Sequence, residues 1–110
     1  MLRDQLRAFA EARDWDQFHS PKNLSMALMV EVAELMEHFQ WLSQAQSANL
    51  PLENKASVAD ELADILLYLV RLSDKLDVDL LKAAQRKLEK NAAKYPVKQV
   101  RGNAKKYSEY

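Results

Sequence analysis

Apolar residues recur at Leu2, Leu6, Phe9 and Ala10, a spacing of three and four that lines one face of a helix, and this predicts a short amphipathic helix from Leu2 to about Arg13. Ser20-Pro21 reads as an N-cap followed by the first helical residue, where proline's fixed φ and missing N–H do no harm. The helix it opens is expected to run to about Leu42. From Ser43 to Glu53 the residues are mostly small or polar and include Pro51, so a surface loop is expected there. Asn54 can cap a third helix reaching about Leu76, and Asp77 or Asp79 a fourth that ends near Lys94, ahead of Pro96. The last stretch, VKQVRGNAKKYSEY (97–110), reads as a tail that orders only against something else. The expected fold class is all-α, a bundle of about four helices forming one domain over 1–110.

Two of these helices carry acids where folding alone would place Leu or Ala. At about 100° per residue, Leu24, Leu28, Glu31, Leu35 and Leu42 share a narrow stripe, with Glu34 to its side near Ala27, Val30 and Trp41. The third helix repeats the pattern: Val58, Glu61, Ile65, Tyr68 and Leu72 share a stripe, with Asp64 at its edge. Antiparallel packing of the two helices brings both i, i+3 acid pairs to one place. An unpaired buried carboxylate costs several kcal/mol or gives up its charge. A single E-x-x-E is accounted for by Lys or Arg on a neighbouring helix, or by a place at the edge of the face. Two matched pairs on apolar stripes point instead to a divalent metal, and oxygen-only ligands favour Mg²⁺, with Mn²⁺ as substitute. The di-iron carboxylate alternative needs Glu-x-x-His elements, and neither His19 nor His38 stands three residues after an acid of these stripes.

Composition narrows the picture. With 48% apolar residues, one Gly, three Pro and no Cys among 110 residues, a helical domain is favoured and thiolate metal sites and disulfides are excluded. No uncharged stretch approaches the roughly 20 residues that span a bilayer, so a soluble, cytoplasmic protein without a membrane partner is expected. Net charge is zero, yet residues 1–81 hold seven Lys/Arg against fourteen Asp/Glu and residues 82–110 hold nine against two. A nucleic-acid binder would carry an overall basic excess, so no nucleic-acid partner is expected. A basic tail and an acidic body are suited to sharing a metal-bound polyphosphate, although a solvated helix and tail are often basic without a ligand.

Glu31-x-x-Glu34 followed by Glu61-x-x-Asp64 on the next long helix resembles the metal motif of the MazG-like all-α nucleoside triphosphate pyrophosphohydrolases. The blocks RDWDQFHSPKNL, FQW, DELADILLYLV, KNAAKYPV and AKKYSEY are similar to the dCTP pyrophosphatase branch of that family, and the likeness covers nearly the whole chain apart from 43–53. It implies Mg²⁺-dependent cleavage of a nucleoside triphosphate between its α and β phosphates, on dCTP or a broader dNTP range, in nucleotide-pool cleansing. Glu31, Glu34, Glu61 and Asp64 are then the metal ligands. Glu34 is the water-activating base, a task that its neighbour Glu61 is placed to share. Trp15 and Trp41 match positions that line the family's base pocket, each being otherwise an ordinary core aromatic. Lys22 and Asn23 lie in the FHSPKN turn, with His19, for which capping and surface charge is the plainer account. Tyr68 is one turn beyond Asp64, and Lys87, Asn91 and Lys94 share a face of the fourth helix. Lys105, Lys106 and Tyr107 match the family's KKY block. A homo-oligomer, a tetramer rather than a dimer, is implied as well. At Leu6 the family carries a polar residue near the base, so base preference stays open. The competing class is a non-catalytic helical interaction module in which the acids are surface or interface charges.

Overall fold

A computed structural model describes residues 1–102; Lys105, Lys106 and Tyr107 lie outside the described residues. The elements are α1 (Leu2–Ala12), a 3-10 turn (Asp16–Phe18), α2 (Pro21–Glu37), α3 (Gln44–Ala48), α4 (Leu52–Lys75), α5 (Leu80–Lys94) and α6 (Val97–Val100), with no strand among the described residues. They divide into two compact units, Met1–Asp77 and a second that starts at Val78.

In the first unit α4 is the spine, and α2 and α1 both pack on it. His19, just ahead of α2, bonds Arg71 late on α4, whereas His38, just past α2, stands beside Glu61 early on α4. The two helices therefore run antiparallel, as the paired acid motifs require. Ala10 of α1, Leu24 of α2 and Val58 of α4 are buried apolar residues, and Arg71 is a buried charge among them. Met26, Met29, Val30 and Met36, on the face of α2 opposite Leu24, are exposed. That helix is apolar on both sides.

The expected boundaries shift where local hydrogen bonds override the apolar period. Helix α2 ends at Glu37 rather than near Leu42, because His38 N–H bonds Leu35 O at 3.2 Å and Phe39 N–H bonds Met36 O at 2.9 Å, i to i−3 bonds that tighten and close the last turn. The expected 43–53 loop contains α3, opened by a reciprocal capping box: Ser43 Oγ accepts from Gln46 N–H (3.1 Å) and Gln46 Oε1 accepts from Ser43 N–H (2.9 Å). Helix α4 begins at Leu52 behind Pro51, two residues before the expected Asn54 cap. Ser20 caps α2 as read, its hydroxyl accepting from Asn23 N–H at 3.1 Å.

In the second unit Asp79 caps α5, its Oδ1 accepting from Lys82 N–H at 3.1 Å, and α5 ends at Lys94 as expected. The short α6 stands where only tail was expected. Leu81 and Leu88 are exposed along α5. Among the described residues no helix is long and apolar enough to cross a membrane.

Candidate active site

Helix periodicity delivers the acids to one another. Glu31 and Glu34 of α2 meet Glu61 of α4, and one carboxylate oxygen from each lies within 4.8 Å of the other two. Glu31 Oε2 and Glu61 Oε2 are buried and have no hydrogen-bond partner among the described residues. Among the described residues the one cation candidate recorded beside these acids, His38 Nε2, is 4.0 Å from Glu61 Oε1, too long for a hydrogen bond. Burial first, and then the negative charge of Glu34, pushes the Glu31 carboxyl up to about 7. Glu61 is raised too, by burial and then by the nearby Glu34 carboxyl. Crowded carboxylates hold a proton where no other cation is at hand. A divalent ion bound by oxygens at about 2.1 Å fits between such atoms after small side-chain rotations, and the orphaned oxygens supply its ligands. These residues fit a hard divalent metal.

Asp64 is exposed at the edge of the cluster, and its charge contributes to raising both Glu31 and Glu61. It also borders a cavity of ≈ 280 Å³ whose apolar wall includes Leu6, Phe9, Trp15 and Leu67 and whose polar groups are His19, Asp64, Tyr68 and Arg71. A Schellman closure of α1 sets Trp15 in that wall. Asp14 takes a left-handed φ of 53°, its N–H bonds Glu11 O at 3.1 Å, and Trp15 N–H bonds Ala10 O at 2.9 Å. The chain thus folds back, and Trp15 meets Phe9 edge-on with ring centroids 5.7 Å apart.

The other expected residues are placed unequally. Tyr68 lines the cavity beside Asp64. Asn23 Nδ2 is spent on the turn, donating to Phe18 O at 3.1 Å, and Lys22 is exposed next to it. Trp41 lies past the end of α2, is 87% exposed and is not part of the cavity wall. Lys87, Asn91 and Lys94 belong to α5 in the second unit.

Sequence reasoning missed the cavity's buried Arg71 and the ion network around it. Arg71 Nε donates to His19 Nδ1 at 3.1 Å and Nη2 to Asp16 Oδ1, while Nη1 stands 3.5 Å from Asp74 Oδ2. Arg7 Nε donates to Asp74 Oδ2 at 2.7 Å, and Lys75 shares Asp16. The Arg71-x-x-Asp74 spacing was a visible signal of an i, i+3 pair. Its partners in the 3-10 turn, more than fifty residues away, were not.

The sequence profile of the MazG-like family matches residues 26–110. The chain belongs to the MazG-like family. This MazG-like chain is 46% identical over 103 residues to dCTP pyrophosphatase 1 of Rattus norvegicus and 41% identical over 103 residues to that of Homo sapiens, in each case over 92% of its own length and 61% of the relative's. It thus spans about three fifths of the curated relatives it matches. The crystal structure of a pyrophosphatase from Archaeoglobus fulgidus superposes with a TM-score of 0.80 at 42% identity, covering 84% of this chain and 87% of that one.

Proposed function

We propose that this MazG-like chain is a Mg²⁺-dependent pyrophosphohydrolase that cleaves a nucleoside triphosphate to monophosphate and pyrophosphate, acting on dCTP or a broader dNTP range in nucleotide-pool cleansing. The observation that carries this reading is the pair of buried, partnerless oxygens in the glutamate cluster, set beside a cavity with an aromatic wall. The names of the relatives support the substrate class. The profile match runs across both units, which supports treating 1–110 as one functional domain.

In this reading Glu31, Glu34, Glu61 and Asp64 hold Mg²⁺, with Mn²⁺ as a substitute. When bound, the ion neutralises phosphate oxygens and stabilises charge on the departing pyrophosphate. Glu34, the base that the resemblance implies, orients a water toward the α-phosphorus and accepts its proton, with Glu61 able to share that role. Trp15 stacks on the base from the cavity wall, and the exposed Trp41, past the other end of α2, is a second base contact by resemblance alone. The Tyr68 hydroxyl donates to sugar or phosphate. Lys22 supplies charge for the phosphates from the turn that Asn23 braces, and Lys87, Asn91, Lys94, Lys105, Lys106 and Tyr107 are further phosphate contacts by resemblance alone. The exposed apolar faces of α2 and α5 support a homo-oligomer, a tetramer by resemblance. We place the protein in the cytoplasm with the nucleotide pool.

The test is pyrophosphate release from a panel of dNTPs and NTPs with Mg²⁺ and with EDTA, with products identified by chromatography. Metal-dependent formation of monophosphate plus pyrophosphate is the expected outcome, and the ranking of the panel reads base preference. No turnover of any nucleotide with Mg²⁺ or Mn²⁺ returns the protein to the class of helical interaction modules.

A further inference from the structure

The chemistry at the glutamates makes no use of Arg71, a charge only 6% exposed at the wall of the cavity. An arginine Nε always carries its hydrogen, so in the Arg71 to His19 bond the imidazole Nδ1 is the acceptor. A neutral His19 then carries its proton on Nε2. Burial, and next the positive charge of Arg71, holds His19 below the usual histidine range and keeps it neutral. The arginine is itself clamped, by Asp16 on one side and Asp74 on the other, and those acids are secured by Lys75 and Arg7. His19 lines the cavity. With Nδ1 occupied, Nε2–H is the donor it has left to offer.

We propose that Arg71 locks His19 in the Nε2–H tautomer and that this N–H reads a carbonyl oxygen of the bound base, so that His19 selects the base and Arg71 is its positioning residue. The inference rests on the pyrophosphohydrolase reading. Arg71 lies seven residues beyond Asp64, about 10 Å along α4, so with the phosphates at the carboxylates His19 stands at the level of the base's far edge. The wall around it is apolar at Leu6, Phe9 and Leu67. In such surroundings a base without an acceptor at that edge leaves the N–H unpaired and is rejected. The O2 carbonyl of a pyrimidine, the one carbonyl that cytosine has, meets the requirement; adenine has none.

Steady-state kinetics with dCTP and 2-thio-dCTP, in which a weakly accepting sulfur replaces O2, test this with Mg²⁺ and the full chain. The wild type is expected to favour dCTP about tenfold in kcat/KM, mainly through KM, the effect of one lost hydrogen bond. His19→Gln, which puts an amide N–H near the Nε2 position, should keep that preference. His19→Phe and Arg71→Met should bring the ratio to about one with kcat changed little. In ¹⁵N NMR the wild-type His19 should be protonated at Nε2, and Arg71→Met should mix the tautomers. If Arg71→Met fails to fold, the two His19 variants decide alone. An undiminished dCTP preference in His19→Phe, no preference in the wild type, or a proton on Nδ1 overturns the proposal. Absence of any wild-type nucleotide turnover is a different failure: it removes the pyrophosphohydrolase reading, and the proposal falls with it whatever the tautomer.

Discussion

Glu61 and Arg71 lie ten residues apart on α4, about 15 Å along its axis, and their surroundings differ in kind. Around Arg71 each charge faces an opposite one, with Asp16 and Asp74 on the arginine, Lys75 on Asp16 and Arg7 on Asp74. Asp74 is held below the usual carboxylate range by its bond to Arg7, and Asp16 by its bond to Lys75. Around Glu61 the neighbours are Glu31 and Glu34, carboxylates are pushed up, and two buried oxygens have no partner. One helix thus carries an ion network that is complete within the fold and an acid cluster that is complete only with something added. The contrast separates charges that hold the protein together from charges kept for a ligand.

The sharpest way to break this comparison is Glu34→Gln, which preserves shape and removes charge. Turnover should fall by about 10²–10⁴, the range for loss of a general base, while the melting temperature in EDTA is unchanged or higher because a repelling charge has gone. Undiminished activity would remove Glu34 from the mechanism. Asp74→Asn should do the reverse. It weakens the clamp on a buried guanidinium and should cost about 2 kcal/mol of stability in denaturant unfolding, with kcat at low temperature little changed; wild-type stability in this variant would show that the network is ornamental to the fold. Trp41→Ala probes a residue that is 87% exposed among the described residues. Its KM should rise roughly tenfold, within the range for one aromatic stack, with stability within about 0.5 kcal/mol of wild type. A variant that merely melts earlier, with KM unmoved, would place Trp41 in the fold and not at the base.

What was legible in the sequence divides along the same line. Glu31, Glu34 and Glu61 were visible because helical period alone puts them on facing stripes, and Asp64, read at the edge of its stripe, is exposed at the edge of the cluster. The Ser20-Pro21 start of α2 was likewise readable, and so was the cap of α5 to within two candidates, Asp77 and Asp79, of which Asp79 is the cap, since a cap is a contact across three residues. The Ser43-x-x-Gln46 box was equally local and was overlooked in a segment that looked like loop. The end of α2 at Glu37 was not readable from period, because Phe39 and Leu42 continue an apolar pattern after the backbone has turned into i to i−3 bonds. Least legible was the clamp on Arg71. It joins α4 to the 3-10 turn at Asp16 and to His19, and no spacing rule connects segments whose meeting depends on how α1 closes.

The smallest effect gives the finest test of the contrast, because it uses protons instead of mutations. The Glu31 carboxyl is pushed up to about 7 in the fold from the ordinary glutamate value of 4.5, so the protonated form favours the fold. Its stabilising contribution is complete below about pH 4.5 and is lost as pH rises through 7, and Glu61 acts in the same direction. Asp16 and Asp74 have lowered values, so their contribution is present above the ordinary Asp range and is lost only in stronger acid. Between pH 5.5 and 8 Glu31 and Glu61 lower stability as pH rises, and His19, whose value is lowered from 6.5, opposes them in the acid half of that window, so the two glutamates together set the net direction. In EDTA the melting temperature should fall by a few degrees across that window, and Glu31→Gln should flatten the fall. Saturating Mg²⁺ should stabilise the protein more at pH 8 than at pH 5.5, since at the lower pH the ion must displace a proton from the cluster. An equal Mg²⁺ shift at both pH values would mean that the ion binds elsewhere and that these glutamates, like the acids around Arg71, belong to the fold alone.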